Sequence, residues 1–184
     1  AFALARAPAE RAKILLRSSG AQLPGRSVHL RLGPEASYSP TQTHYTIERR
    51  LDGKRISLLE YMTDVDSPER LFLNGIKVDS AWRRGGFSEA LVAQMVAAHP
   101  HATEIFASLQ EVNFQIYWES VRRQVPELFV GRAGKPLMAD IPEAVKVSAL
   151  RDTPTFRTCK KLGFSHIKYA HFGQSDITLI AEVP

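Results

Sequence analysis

The chain predicts an α/β domain: a central sheet with helices above and below it, and an insertion before the last helix. Three stretches carry that expectation. Residues 45–51 and 55–62 are β-type runs joined by Asp52-Gly53, a dipeptide suited to a tight hairpin turn. Residues 70–78 are apolar on both faces, the pattern of an interior strand covered by helices. That strand runs into a turn rich in Arg and Gly, then into a helix beginning near Gly86.

The remaining elements follow in order. Residues 8–18 read as a helix, with Pro8 in its first turn, an apolar face of Ala9, Ala12, Leu15 and Leu16, and Gly20 as a stop. After a loop at 22–26, Val28, Leu30 and Leu32 alternate with His29 and Arg31, as in a half-buried strand ended by Gly33-Pro34. Residues 35–42 read as a connecting loop and 64–69 as a polar connection. Gly75 interrupts the 70–78 strand, marking a bulge or a close backbone approach by a ligand. Residues 86–98 form a helix with Phe87, Leu91, Met95 and Ala98 at core spacing, stopped by His99-Pro100. A strand at 104–109 precedes a helix at 111–123, whose Val112, Ile116 and Glu119-Ser120 suggest its turn pattern. Residues 124–151 are broken by Gly131, Gly134, Pro136 and Pro142, with 143–150 open to strand or short helix. So long a connection reads as an insertion that covers a binding cleft. A helix at 155–162, stopped by Gly163, and strands at 164–172 and 177–183 close one single domain.

Composition bounds the function classes. The chain has 184 residues, 44% hydrophobic and 23% charged, as soluble globular domains do. No apolar run nears the roughly 20 residues of a membrane helix, so no membrane partner is expected. The apolar start Ala1-Phe2-Ala3-Leu4-Ala5 lacks a Met, which suggests a piece of a longer protein and leaves a lost targeting segment open. A single cysteine, Cys159, rules out an internal disulfide and fits a reducing, cytoplasmic setting. The net charge of +5 favours anionic partners, but the basic residues are scattered as short pairs. The six histidines show no metal spacing, and no nucleophile elbow or Walker-type loop is present.

The chemistry gathers at Arg83-Arg84-Gly85-Gly86-Phe87-Ser88. Unpartnered amides at the helix start, the helix dipole and the two arginines make a site for a compact anion, and the glycines permit close approach. The alternative is an ordinary strand-to-helix turn with solvated arginines. The motif resembles the Gln/Arg-x-x-Gly-x-Gly/Ala signature of the GNAT acetyltransferase superfamily, with Ser88 where the family has Gly or Ala. Residues 152–164, ending Lys161-Leu162-Gly163-Phe164, resemble the family's Asn-x-x-Ala-x-x-x-Tyr-x-x-x-Gly-Phe. The resemblance covers residues 28–183 without the insertion. It implies a GNAT-like mixed, mostly antiparallel sheet and transfer of an acetyl or acyl group from acetyl-CoA to an amine.

Carried over residue by residue, the resemblance implies that backbone groups of Ile76, Lys77 and Val78 pair with pantetheine. Arg83, Arg84, Gly85, Gly86, Phe87 and Ser88 would hold the pyrophosphate, and Asp152 stands at the family's Asn. The family's Tyr, donor to the leaving thiolate, falls on Cys159, which reads equally as a small core residue. A rival alignment makes Asn113 the cofactor contact and Tyr117 the phenol, although Tyr117 and Trp118 also read as core aromatics. For the base, Glu60 is the best substitute for the family's strand Glu, with Asp64 behind it; a solvated Glu is the bland alternative. The acceptor (small molecule, protein or RNA) is unspecified, and a homodimer is compatible with the family. A CoA-binding or nucleic-acid-binding module with little transferase activity is the alternative.

Overall fold

The computed structural model describes residues 7–18, 29–30, 35–83, 85–131, 133–173 and 175–184. The expected features at Gly20, 22–26, Val28, Leu32, Gly33-Pro34 and Arg84 lie outside them. Among the described residues one eight-stranded sheet organises the chain. Its strands are β1 (His29–Leu30), β2 (Glu35–Tyr38), β3 (Gln42–Leu51), β4 (Lys54–Asp64), β5 (Arg70–Val78), β6 (Glu104–Ser108), β7 (His166–Phe172) and β8 (Asp176–Glu182). They lie in the order β1-β3-β4-β5-β6-β8-β7, with β2 also on β3. Every pairing is antiparallel except β5 with β6, which gives the mixed, mostly antiparallel sheet expected.

The β3–β4 hairpin turns where the sequence predicts. Asp52 and Gly53 both have positive φ, 49° and 77°, as a turn matched to the twist of its strands requires. Residues 35–38 correct the expected loop: they form β2, an edge strand paired from Glu35↔Thr46 to Tyr38↔Thr43. Its Ala36 and Ser37 are exposed, so no apolar alternation marks it. Ser39 closes that hairpin, its hydroxyl donating to Gln42 O and accepting from Gln42 N–H.

Five helices are described: α1 (Pro8–Ser18), α2 (Phe87–Ala98), α3 (Glu111–Gln124), α4 (Glu143–Arg151) and α5 (Pro154–Lys161). Helix α2 buries Phe87, Ala90, Leu91, Val92, Ala93, Met95 and Val96, because α1, β4, β5 and α5 all pack around it. Ala98, expected in its core stripe, is exposed. The buried side of α3 is Tyr117, Trp118, Ser120 and Val121 rather than a face through Val112, which is 54% exposed. Residues 143–150 are helical: Glu143 and Arg151 complement the helix dipole at either end, and Lys146, Ala149 and Leu150 recur at helical spacing toward the core.

Helix α5 is bounded by its own sequence. Thr153 Oγ1 accepts from Phe156 N–H at 3.3 Å, and Pro154 follows as a first-turn residue. At the other end Gly163 has φ 103°, Phe164 N–H donates to Cys159 O and Gly163 N–H to Lys160 O. These paired bonds make a Schellman stop, which fixes why Leu-Gly-Phe ends the helix.

Candidate functional site

The parallel pair opens. Strands β5 and β6 are in register from Arg70↔Glu104 to Leu73↔Ala107, and there the pairing stops. Strand β5 continues to Val78, still paired on its other side with β4 as far as Ser57↔Val78. Strand β6 instead stays with β8, Leu109 N–H donating to Ile177 O at 2.7 Å. The chain then leaves through Glu111, whose φ of 43° is left-handed for a non-glycine residue. Residues 74–78 therefore present one unpaired backbone edge among the described residues, able to accept an extended partner.

A bulge sits at the fork. Glu60 pairs with Gly75 and Tyr61 with Leu73, so Asn74 is the extra residue. The interruption at Gly75 signals it in the sequence. Gly75 would meet nothing within 4 Å if it carried a Cβ, so open space rather than crowding surrounds it.

At the end of β5, Asp79 Oδ1 accepts from Ala81 N–H at 3.1 Å and starts a short 3-10 turn at Ser80–Trp82. Gly86 follows with φ 75° and open space where a Cβ would stand. A Cβ on Gly85 would lie 2.8 Å from the Phe87 ring. Helix α2 has no side-chain cap at Gly86, and its first backbone bond is Ala90 N–H to Gly86 O. The amides of Phe87, Ser88 and Glu89 thus precede the helical ladder, in a setting suited to an anion. Arg83 is exposed, its Nε 3.5 Å from Val78 O. The exposed Lys77 and Arg55 line a shallow cleft beside Val78 and Asp79.

The expected catalytic groups divide. Glu60 is exposed beside the fork. Cys159 is completely buried in α5, and burial pushes its thiol up to about 12. Tyr117 is 1% exposed; burial first, then Tyr169 and Glu143, raise its phenol, whose hydroxyl donates to Met138 Sδ at 3.8 Å. Asn113 and Asp152 are engaged within the fold. Asn113 Oδ1 accepts from Thr155 N–H at 3.1 Å, and Asp152 Oδ2 accepts from Ser120 Oγ at 2.6 Å and Arg123 Nη2 at 3.0 Å. The structure thus gathers Glu60, residues 74–78 and the α2 N-terminus, while Cys159 and Asp152 lie on or beside α5.

No protein-family model matches the chain, and no curated protein matches it in sequence. Solved structures do. A tandem GNAT protein from the clavulanic acid biosynthesis pathway is 17% identical over 54% of this chain, with a TM-score of 0.34; the match spans 33% of that protein. The diaminobutyrate acetyltransferase of Paenibacillus lautus, solved with L-2,4-diaminobutyric acid and coenzyme A, is 12% identical over 95% of this chain and 88% of its own, at 0.41. A Bacillus subtilis acetyltransferase solved with CoA is 14% identical over 86% of this chain and all of its own, also at 0.41. The likeness is one of fold, to GNAT acetyltransferases. Superpositions this loose transfer no residue roles.

Proposed function

We propose that this GNAT-type fold is an acetyl-CoA-dependent N-acetyltransferase that acylates an amine by direct attack. The observation that carries the reading is the open edge of β5 ending at the uncapped start of α2. Backbone groups of residues 74–78, including Ile76, Lys77 and Val78, would hold the amide-bearing pantetheine as a sheet edge holds an added strand. Amides of the α2 first turn, with Arg83, Gly85, Gly86, Phe87 and Ser88 around them, would hold the pyrophosphate. The open space above Gly75 and Gly86 fits a ligand lying against the backbone.

Acetyl-CoA supplies the acyl group as a thioester: the amine nitrogen bonds to the carbonyl carbon, the C–S bond breaks, and an amide and a thiol result. Glu60 takes the proton that the amine must lose, directly or through one water. Asn113 and Asp152 act at one remove, by fixing the start of α5 against α3. Burial keeps both Tyr117 and Cys159 protonated, so the leaving thiolate takes its proton from solvent at the fork.

Calorimetric titration with acetyl-CoA, with ATP as control, tests the reading. Binding of acetyl-CoA and not ATP is expected. Gly86→Asp should weaken it about a hundredfold while leaving the fold intact, because it adds left-handed strain and an anion facing a phosphate. Unchanged affinity would remove the turn from the site. Binding without turnover on any amine would leave a CoA-binding module.

A further inference from the structure

One face of the sheet carries a surface that neither core cluster includes. Met62↔Phe72, Phe72↔Phe106 and Phe106↔Ile180 are successive register partners, so these four side chains form one row across β4, β5, β6 and β8. All four are half-buried, yet none belongs to the core or packs against it. The Phe72 and Phe106 rings stack, centroids 4.7 Å apart and 25° between planes. With strands about 4.8 Å apart, the row is a floor roughly 14 Å long.

The next row on the same face is polar. Glu60 lies two residues from Met62, and Ser108 and Thr178 lie two from Phe106 and Ile180. Ser108 and Thr178 are register partners whose hydroxyls meet at 3.3 Å. Asn74, the bulged residue, stands between Glu60 and Ser108, and Glu60, Asn74 and Ser108 are exposed. This polar row crosses the sheet where β5 and β6 part, so it borders the place where the acyl group would arrive.

Charge places the ammonium. Three carboxylates on this face are already paired: Glu48 with Arg50 and Arg55, Glu104 with Arg70, and Glu182 with Lys168. Asp64 accepts from Gln42 Nε2 at 3.3 Å, and Asp176 stands at the outer end of β8. Glu60 makes no ion pair among the described residues, and of these carboxylates it alone stands in the polar row at the fork, so an ammonium beside the acyl group has its partner there.

We propose that this floor is the acceptor subsite, and that it takes a primary amine carried on a short chain from a flat apolar group. The flat group lies on Phe72 and Phe106, with Met62 and Ile180 at its margins, and the nitrogen reaches Glu60. Side chains two apart on a strand are separated by about 7 Å, which a tether of two or three carbons spans. A polyamine gains nothing from the aromatic floor. The proposal rests on the acetyl-transfer reading for its chemistry, but the binding face is separately testable.

Phenethylamine and spermidine serve as probes on the full chain. Backbone amide resonances of Phe72 and Phe106 should shift on titration with phenethylamine and not with spermidine. With acetyl-CoA, kcat/KM should favour phenethylamine, and Phe106→Ala should raise its KM about tenfold with acetyl-CoA affinity unchanged. Phe106→Leu keeps the apolar volume without the stacking and should show the same direction if the alanine variant folds poorly. A preference for spermidine, or equal losses for both amines in Phe106→Leu, would overturn the proposal. Acetyl-CoA binding with no shift from phenethylamine would also overturn it and spare the transfer reading. Shifts from phenethylamine without acetyl-CoA binding would sink the transfer reading and leave the amine-binding face standing.

Discussion

At the scale of single residues, burial decides what a reactive side chain can do. Cys159 stands where the family resemblance expects an acid, but its thiol is pushed up to about 12 by complete burial, above the thiol range of about 8.5. Tyr117 is raised by burial as well, and its hydroxyl already has a sulfur to donate to. Neither group can hold a negative charge where it sits, so neither is suited to give up a proton to a thiolate. Tyr117→Phe and Cys159→Ala should therefore each change kcat less than about threefold, while Cys159→Ala lowers stability by about 1 kcal/mol through the lost core volume. Steady-state kinetics and chemical denaturation of the two variants separate these effects. A tenfold or larger fall in kcat for Tyr117→Phe alone would restore the phenol as proton donor.

At the scale of elements, the junction between α4 and α5 joins the motif to its structural meaning. Thr153 is fully buried; its hydroxyl donates to Leu150 O at 2.7 Å and accepts from Phe156 N–H. Thr153→Val keeps the shape and leaves that buried amide without its acceptor, so it should cost about 1–2 kcal/mol in denaturant unfolding, with acetyl-CoA affinity unchanged. An equal loss of affinity would mean that α5 itself touches the donor. What the sequence made legible here follows from local rules. Asp52-Gly53 and Gly163 each specify their geometry within a few residues, whereas the 70–78 run specifies a strand but not its cover: Leu71 and Leu73 are buried and Phe72 on the other face is half-buried. Strand β2 was hidden because an edge strand needs no apolar alternation, and the buried face of α3 because α4 and the segment at 126–140 decide it from a distance. The fork could be anticipated only through the family likeness. The row Met62-Phe72-Phe106-Ile180 could not be, since register across four strands is a property of pairing and not of any one strand.

At the scale of the molecule, α2 joins two polar ends that differ in charge demand. Its start is the proposed anion site; its end, about 18 Å away for twelve residues, is His99. His99 meets the Tyr61 hydroxyl through Nε2 at 3.0 Å and stands edge-on to the stacked Tyr45 and Tyr61 rings, 4.8 Å apart. Burial holds the His99 imidazole below its ordinary value of 6.5. Folding therefore favours the neutral ring: the unfolded chain binds this proton more readily, and the stability His99 contributes is present above pH 6.5 and lost as pH falls below it. The unfolding free energy should thus decline from about pH 6.5 downward, with a slope from this group of at most about 1.4 kcal/mol per pH unit. His99→Gln removes the titrating ring and should flatten that decline relative to the parent chain. Because the two ends of α2 are so far apart, acetyl-CoA affinity at pH 7.5 should be the same in both proteins. An unchanged slope in His99→Gln would assign the acid sensitivity to carboxylates elsewhere, and a changed affinity would mean that α2 transmits the state of one end to the other.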